Sequence, residues 1–228
     1  MPTLRVASYN IHRAVGTDGH RDAGRIGAVI CGLGADLIGL QEVDWHDDRH
    51  WQLEYLSELP GYEAVAGPNI RDHRGDYGNL LLTRLPVRQV RRHDLSMGRR
   101  EARGAIDADV DVNGTVLRVV VTHFGLGMRE RWRQAAQLRR ALGDGPDALV
   151  VLGDLNDWTP GSVSVRPLLR TCRQSGCAAT YPSRWPLFAL DRILVRGLPP
   201  PRGYRTHRTE LTRAASDHLP VTAEIEVG

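Results

Sequence analysis

The spacing of apolar and polar residues predicts a chain in which strands and helices alternate. Short apolar runs or strict alternation predict strands at residues 4–9, 37–40, 62–66, 79–83, 87–95, 106–112, 116–121, 149–152, 188–195 and 219–227. Apolar residues at intervals of three and four predict helices at residues 22–33, 51–59 and 128–142. We expect loops or irregular chain at residues 67–77, 166–181 and 199–201.

One dipeptide restricts the way in which these strands pair. Asn113-Gly114 lies between two predicted strands and favours a tight hairpin. Because such a hairpin joins antiparallel neighbours, the sheets cannot be purely parallel. The sequence has neither internal repeats nor a low-complexity linker. We therefore expect one domain over residues 1–228, of the α/β (α+β) class with substantial antiparallel pairing.

Three aspartates in one predicted strand have two interpretations. Asp107, Asp109 and Asp111 alternate with apolar residues. Clustered carboxylates resemble a metal site, whereas strict alternation is typical of a strand with one buried face and one solvated face. We interpret the three acids as a solvated face.

Polar residues also occur where several predicted strands end. Asn10, Glu42 and His123 each follow an apolar run, and residues 153–157 read Gly-Asp-Leu-Asn-Asp. Taken alone, that last stretch is typical of a turn. The triplet Ser-Asp-His at residues 216–218 precedes the final strand and reaches the same edge if that strand is antiparallel. Ligands of α/β sheets bind outside the carboxyl ends of strands, so we expect one site there.

Composition and charge describe an ordinary globular chain, 41% hydrophobic and 25% charged. No apolar run approaches the roughly 20 residues that cross a bilayer, and the N-terminus lacks a signal-peptide core. We therefore expect no transmembrane segment and a cytoplasmic protein, with Cys31, Cys172 and Cys177 as free thiols. All 30 basic residues are arginine, and the net charge of +3 is compatible with an anionic substrate.

A set of motifs spread over the chain resembles the endonuclease/exonuclease/phosphatase superfamily. The motifs are Ser-Tyr-Asn-Ile-His (8–12), Gln-Glu-Val (41–43), Gly-Asn-Leu-Leu-Leu-Thr-Arg (78–84), Thr-His-Phe-Gly (122–125), Gly-Asp-Leu-Asn-Asp (153–157), Leu-Asp-Arg-Ile (190–193) and Ser-Asp-His-Leu-Pro-Val (216–221). The opening motif is most similar to that of compact bacterial members. The resemblance implies a four-layer α/β/β/α sandwich of two mixed β-sheets flanked by helices, and divalent-metal-dependent hydrolysis of phosphoesters.

The same resemblance implies which residues hold the metal. Glu42 resembles the principal metal ligand of the superfamily, and Asn10 and Asp217 are further candidates. One carboxylate, an amide oxygen and several waters suit Mg²⁺, which keeps part of its hydration shell. We expect Mn²⁺ to substitute for it.

Catalytic roles follow from the resemblance in the same way. Asp154 resembles the residue that orients and deprotonates the attacking water, and Asn156 the amide that helps to hold this water or a phosphate oxygen. His218 resembles the histidine that binds the phosphate, with Asp191 accepting a hydrogen bond from its other ring nitrogen. His123 resembles a second phosphate-binding residue.

Three residues are candidates for substrate binding. The superfamily places an acid or a tyrosine just before the Gly-Asn-Leu-Leu-Leu stretch, and Asp76 and Tyr77 both fit this place within one residue. Arg103 is a candidate phosphate ligand, although a surface arginine is nearly as good an interpretation. We expect Asp157 to support the turn that carries Asp154 and Asn156.

The sequence leaves the substrate open between two kinds of phosphodiester. Nucleic acid is slightly preferred because several arginines could follow a phosphate backbone, although a solvated strand face explains them equally well. These are the arginines at positions 88, 91, 92, 99, 100 and 103. The alternative is a phospholipid or sphingomyelin-type diester, or a phosphomonoester. A non-catalytic phosphate-binding module is a distant third, and we expect a monomer.

Overall fold

Two β-sheets form the centre of the protein. The computed structural model describes residues 1–45, 51–72, 75–143, 147–174, 176 and 178–228. The strands are β1 (Thr3–Asn10), β2 (Leu37–Trp45), β3 (Glu63–Asp72), β4 (Gly75–Thr83), β5 (Val87–Asp94), β6 (Gly104–Val112), β7 (Thr115–His123), β8 (Leu149–Asp154), β9 (Arg173–Gln174), β10 (Asp191–Arg196), β11 (Arg202–Thr206) and β12 (Val221–Glu226). The α-helices are α1 (Ala23–Leu33), α2 (Trp51–Ser57), α3 (Met128–Leu142), α4 (Arg166–Leu169) and α5 (Glu210–Ala215).

Each sheet has six strands and is mixed. The first sheet has the order β11-β12-β1-β2-β4-β3, and the second has the order β5-β6-β7-β8-β10-β9. Strands β1 and β2 are parallel, as are β7 and β8. Strands β10 and β12 run antiparallel to their neighbours β8 and β1. The beginnings of β10 and β12 therefore lie at the same edge as the carboxyl ends of β1, β2, β7 and β8.

A continuous apolar core joins the inner faces of the two sheets. Val6 and Leu37 of the first sheet belong to the same buried cluster as Val121 and Leu152 of the second. Gly39 allows the sheets to approach closely here, because a Cβ atom at this position would lie 2.8 Å from the Cβ atom of Leu152. The two sheets thus approach closely where β2 crosses β7 and β8, next to the edge that carries the polar strand ends.

Helices cover the outer faces of both sheets. Helix α1 buries Ile26, Val29 and Ile30 against the first sheet, and α3 packs on the second. Asp22 begins α1 by accepting a hydrogen bond from the Arg25 backbone N–H. The expected four-layer α/β/β/α sandwich is confirmed. Within the described ranges, no helix is long and apolar enough to cross a membrane.

The prediction of a polar loop at residues 67–77 is wrong. Strand β3 extends to Asp72 and β4 begins at Gly75, so the two strands form one long hairpin. Their register shifts between Pro68 and Ile70. A shift of this kind interrupts the alternation of apolar and polar residues by which a strand is recognised in a sequence.

Two elements near the C-terminus have no counterpart among the predicted elements. Strand β11 lies at the edge of the first sheet, and its residues are exposed or half-buried. An edge strand of this kind needs no apolar face. Helix α5 is six residues long, too short for a helical period, and begins where the Thr209 hydroxyl accepts from the Thr212 backbone N–H. Of the three cysteines, Cys31 and Cys172 are free thiols, and Cys177 lies outside the described residues.

The interpretation of the aspartates on β6 as a solvated face is wrong at Asp107. This side chain is fully buried. It accepts hydrogen bonds from Arg118 (2.6 and 2.8 Å) and Arg91 (3.0 and 3.1 Å), and His93 Nε2 lies 2.8 Å away. Burial alone would raise the pKa of Asp107, but these bonds outweigh burial and hold the pKa below its usual value. The arginines come from the neighbouring strands β5 and β7, which a pattern within β6 cannot reveal.

Replacement of Asp107 by asparagine is expected to destabilise the protein. The change leaves Arg91 and Arg118 without their shared anion, and both arginines are partly exposed. We therefore expect a loss of about 2–3 kcal/mol, less than for a fully buried pair. Asp111→Asn is the matched control on the same strand, because its pair with Arg88 is more exposed and contributes much less to stability. Urea unfolding measures both, and equal midpoints for the two variants would contradict the prediction.

Candidate functional site

A pocket of about 530 Å³ opens at the edge where the strand ends meet. The structure brings most of the candidate residues together around it. Glu42, Tyr77, Arg103, His123, Asp154, Asn156, Asp217 and His218 all line its wall. Asn10 and Asp191 lie directly behind this wall, bonded to residues that form it. The Asp76 side chain lies outside the described part of the structure.

Asp154 is the buried centre of the site. Its Oδ2 atom accepts a hydrogen bond from Asn10 Nδ2 at 3.0 Å, and its Oδ1 atom accepts from the Asn156 backbone N–H at 2.8 Å. Two imidazoles approach Oδ2: His123 Nε2 at 3.5 Å and His218 Nε2 at 3.7 Å. Burial raises the pKa of Asp154 to about 6, although the His218 charge opposes this rise. A carboxylate with this pKa can accept a proton near neutral pH.

The turn after β8 explains the direction of these groups. Asn156 has φ +50°, a left-handed conformation that asparagine tolerates better than most residues. Its side-chain amide donates to the Phe124 carbonyl oxygen at 2.9 Å. Asp157 turns away from the pocket and accepts hydrogen bonds from Thr159 and Ser164, the latter at 2.6 Å. The stretch is thus a turn, and it also carries polar groups into the pocket.

His218 is held by a buried carboxylate. Its Nδ1 atom donates to Asp191 Oδ2 at 2.9 Å. Burial alone would lower the pKa of His218, but the negative charges of Asp191 and Asp154 outweigh burial and raise it to about 10. The ring therefore carries a proton on both nitrogens at neutral pH. This leaves Nε2–H as a positively charged donor on the side of Asp154.

The second imidazole is neutral. Burial, together with the charges of Arg103 and His218, lowers the pKa of His123 well below its usual value. Arg103 Nη1 lies 3.1 Å from Nδ1, and Asn156 Nδ2 lies 3.0 Å from Nε2. A neutral imidazole has one acceptor nitrogen, and the charged guanidinium is the stronger donor. We therefore assign the acceptor role to Nδ1, towards Arg103, and the proton to Nε2, on the side of Asp154. The Asn156 amide then donates to the Phe124 carbonyl oxygen and makes no hydrogen bond to Nε2.

A bulge in β2 presents Glu42 to the pocket. The pairing of β2 with β4 shifts register between Leu40 and Val43, and Glu42 has φ +59°. Bulges re-aim side chains, and strained backbone of this kind is found at functional sites. The Glu42 carboxylate accepts from Asn10 Nδ2 at 3.1 Å. Asn10 thus bridges Glu42 and Asp154, while its Oδ1 atom accepts from the His12 backbone N–H at 3.0 Å.

The site offers two groups of ligand atoms to a divalent cation. Glu42 offers a half-buried carboxylate beside a pocket with room for several waters, an arrangement that Mg²⁺ accepts. Ligand atoms of Asp154, Asp191 and His218 also lie within 4.8 Å of one another. His218 Nδ1 already bonds Asp191 Oδ2 at 2.9 Å, and its Nε2 atom lies 3.7 Å from Asp154 Oδ2, so these three side chains are paired with one another. The carboxylate of Glu42 is therefore the better fit.

The remaining candidates line the mouth of the pocket. Tyr77 is buried, with the Arg13 guanidinium 4.6 Å from the centre of its ring, and burial raises its pKa. Arg103 lies between His123 and Glu101, whose Oε2 atom accepts from Nη2 at 3.0 Å. Asp217 Oδ1 lies 3.7 Å from His12 Nδ1.

Sequence reasoning missed several pocket-lining residues. Leu126, Trp158 and Tyr181 contribute apolar surface, and Arg13 and Glu101 contribute charge. Tyr181 packs on His218 with ring centres 4.9 Å apart. Trp158 directly follows the Asp154 turn, which was the one available signal. The other four lie in loops or a 3₁₀ turn with no distinctive pattern.

Comparison with known proteins agrees with this geometry. The model of the Endonuclease/Exonuclease/phosphatase family matches residues 7–218. The chain belongs to this family. The Escherichia coli uncharacterized protein YbhP is 28% identical, and the match covers 99% of this chain and 97% of YbhP. The family comprises hydrolytic phosphoesterases, so the pocket belongs to a fold on which phosphoester bonds are cleaved.

Solved structures of family members share the whole fold. The endonuclease/exonuclease/phosphatase from Bacteroides vulgatus superposes with a TM-score of 0.84 at 21% identity, covering 100% of both chains. Humanized TDP2 of D. rerio superposes with a TM-score of 0.78 at 18% identity, covering 99% of both chains. At these identities the likeness establishes the sandwich fold.

Proposed function

We propose that the protein is a divalent-metal-dependent hydrolase that cleaves phosphodiester bonds by in-line attack of water. One observation carries the proposal: buried Asp154 lies between a protonated imidazole, His218, and a neutral one, His123, beside the carboxylate of Glu42. This arrangement combines a base, two donors for phosphate oxygens and an acidic cation ligand at one pocket.

Asp154 is the general base in this proposal. The hydrogen bonds from Asn10 and from the Asn156 backbone N–H fix the position of its carboxylate. It takes one proton from the attacking water, whose oxygen forms the new bond to phosphorus while the ester oxygen departs on the opposite side. Positioning of the water before attack removes much of the entropic barrier.

The two histidines stabilise the charge that develops on the phosphate. Nε2–H of His218 is a charged donor, and Nε2–H of His123 is a neutral one. Asp191 and Arg103 fix these rings through their Nδ1 atoms. Donors held in place before the reaction are effective, because they need no reorganisation in the transition state.

Glu42 would hold Mg²⁺, for which Mn²⁺ is expected to substitute, and Asn10 and Asp217 are the further candidate ligands. The cation supplies a Lewis acid for a phosphate oxygen and lowers the pKa of water. Asn10 keeps the Glu42 carboxylate directed at the pocket through its 3.1 Å hydrogen bond.

The arginines that favoured nucleic acid are largely occupied by acids of the same chain. Arg88 pairs with Asp111, Arg91 with Asp107 and Asp109, and Arg100 with Glu130. Such paired arginines add little to the binding of a phosphate backbone. The proposal therefore covers phosphodiesters as a class, with nucleic acid as one candidate and lipid head groups as the other.

Removal of the metal tests the proposal. Protein stripped with EDTA is expected not to hydrolyse bis-p-nitrophenyl phosphate, and Mg²⁺ or Mn²⁺ should restore turnover. Glu42→Gln removes the ligand charge but keeps the size of the side chain, so it should need much more metal for the same rate. Metal titrations of the wild type and the variant measure this. Hydrolysis that continues at the same rate in EDTA would contradict metal dependence. Absence of hydrolysis with either metal would favour a non-catalytic binding module.

A further inference from the structure

Large apolar side chains stand exposed around the mouth of the pocket. They are Leu126, Trp158, Trp185, Leu187 and Phe188, which we call the apolar rim. Leu126 and Trp158 also line the pocket. Phe188 lies edge-on to Trp158, with ring centres 6.1 Å apart. Trp185 and Leu187 are 78% and 75% exposed, although residues of this kind normally avoid water. Contiguous exposed apolar surface of this kind marks interaction sites.

The outermost part of the apolar rim is held out by a structured hairpin. Tyr181 pairs with Phe188 across the hairpin, and the Trp185 backbone N–H donates to the Pro182 carbonyl oxygen at 3.1 Å. The Ser183 backbone N–H donates to the Asp217 carbonyl oxygen at 2.7 Å. These bonds fix the hairpin to the wall of the pocket. Trp185 and Leu187 are therefore presented to solvent beside the site by a defined backbone.

Exposed arginines adjoin the apolar rim in the sequence. Arg129, Arg133 and Arg184 are exposed, and none of them takes part in an ion pair within the described part of the chain. Glu130, the acid nearest to Arg129 and Arg133 in the sequence, is buried, whereas Glu101 and Asp217 lie at the pocket itself. A rim of tryptophan and leucine flanked by unpaired arginines is complementary to an anionic bilayer, in which tryptophan favours the interface.

We propose that the apolar rim docks the protein on an anionic lipid bilayer, so that the pocket receives the phosphodiester of a lipid head group. This inference rests on the proposed phosphodiesterase function and specifies its substrate class. Aromatic side chains alone could instead stack on nucleic-acid bases. Leu126 and Leu187 cannot stack, however, and insertion into a bilayer uses aliphatic and aromatic residues alike.

Vesicle binding tests the proposal directly. Wild-type protein is expected to co-sediment with phosphatidylcholine vesicles that contain about 30% phosphatidylglycerol. The double variant Trp185→Ser/Leu187→Ser should bind at least about tenfold more weakly, because its apolar anchor is lost. Val116→Ser is the matched control, since Val116 is an exposed aliphatic residue near the opposite end of β7. The variant Arg129→Gln/Arg133→Gln should lose about fivefold per arginine on these vesicles.

Measurements of turnover on soluble and vesicle-bound diesters distinguish membrane docking from the hydrolytic step. Trp185 and Leu187 do not line the pocket, so their double variant should hydrolyse bis-p-nitrophenyl phosphate at the wild-type rate. It should cleave phosphatidylglycerol in vesicles at least about tenfold more slowly than the wild type.

Equal vesicle binding by the wild type and this variant overturns the inference, as does absence of binding by the wild type. Weaker binding of single-stranded DNA, with vesicle binding unchanged, would also overturn it in favour of a stacking surface. Because sedimentation needs no turnover, failure to hydrolyse the soluble diester counts against the proposed function alone.

Discussion

Asp154→Asn is expected to lower kcat by about 10³–10⁴, with little change in KM. The amide keeps the size of the carboxylate and its contact with the Asn156 backbone N–H, but it cannot accept a proton from water. Asn10 also faces this position, so the variant loses one acceptor as well as the base. Steady-state kinetics on a soluble diester measure the loss. Circular dichroism and thermal melting check that the variant is folded.

Asp157→Asn is the matched control for this experiment. Asp157 lies three residues further along the same turn and is also buried, but it bonds Thr159 and Ser164 instead of facing the pocket. We expect its kcat to stay within about tenfold of the wild type, with a moderate loss of stability. If both variants lost activity equally, the turn as a whole would matter and Asp154 would not be the base.

Asp191→Asn is expected to lower kcat by about 10²–10⁴. Asp191 fixes the His218 ring and raises the pKa of His218 to about 10. Without this carboxylate, His218 should lose its proton at lower pH. The protonated ring is the active form, so the alkaline limb of the pH–rate profile should move from about pH 10 towards neutrality. The acidic limb, near pH 6, is assigned to Asp154 and should move to lower pH, because the Asp191 charge also raises the Asp154 pKa.

A double variant shows whether Asp191 acts through His218. If it does, Asp191→Asn/His218→Ala should be no slower than His218→Ala alone, because residues that act as a unit have non-additive effects. If the fold-losses in kcat of the two single variants multiply in the double variant, Asp191 has a role separate from His218. An unchanged alkaline limb in Asp191→Asn would equally contradict the assignment.

The positions of the candidate site residues were predictable where apolar runs end abruptly. Asp154 and Glu42 each stand just beyond an apolar run, and the resemblance to the family implies the roles proposed for them. The orientation of Asn10 between two carboxylates could not be predicted, because it depends on partners 32 and 144 residues away. The neutral state of His123 likewise depends on its burial and on Arg103, which directly precedes β6. These arrangements depend on tertiary contacts, which the local spacing of apolar and polar residues does not reveal.

The errors have a similar cause. Burial of Asp107 depends on arginines from two neighbouring strands. The exposed tip that carries Trp185 and Leu187 adjoins a predicted strand at residues 188–195, whose regular part begins only at Asp191. Apolar residues that serve an outside surface look the same in sequence as those of a core.

The first and last strands of the domain are neighbours, and this affects when the site can exist. Strand β1 pairs with β12, and the Ser216 hydroxyl donates to the Asn10 carbonyl oxygen at 2.8 Å. The pocket thus needs residues from both ends of the fold, among them Asn10 and His218. A growing chain on the ribosome holds no complete pocket until β12 has emerged and joined the sheet. The proposed hydrolytic activity therefore requires the whole sandwich to have closed, and we expect unfinished chains to lack it.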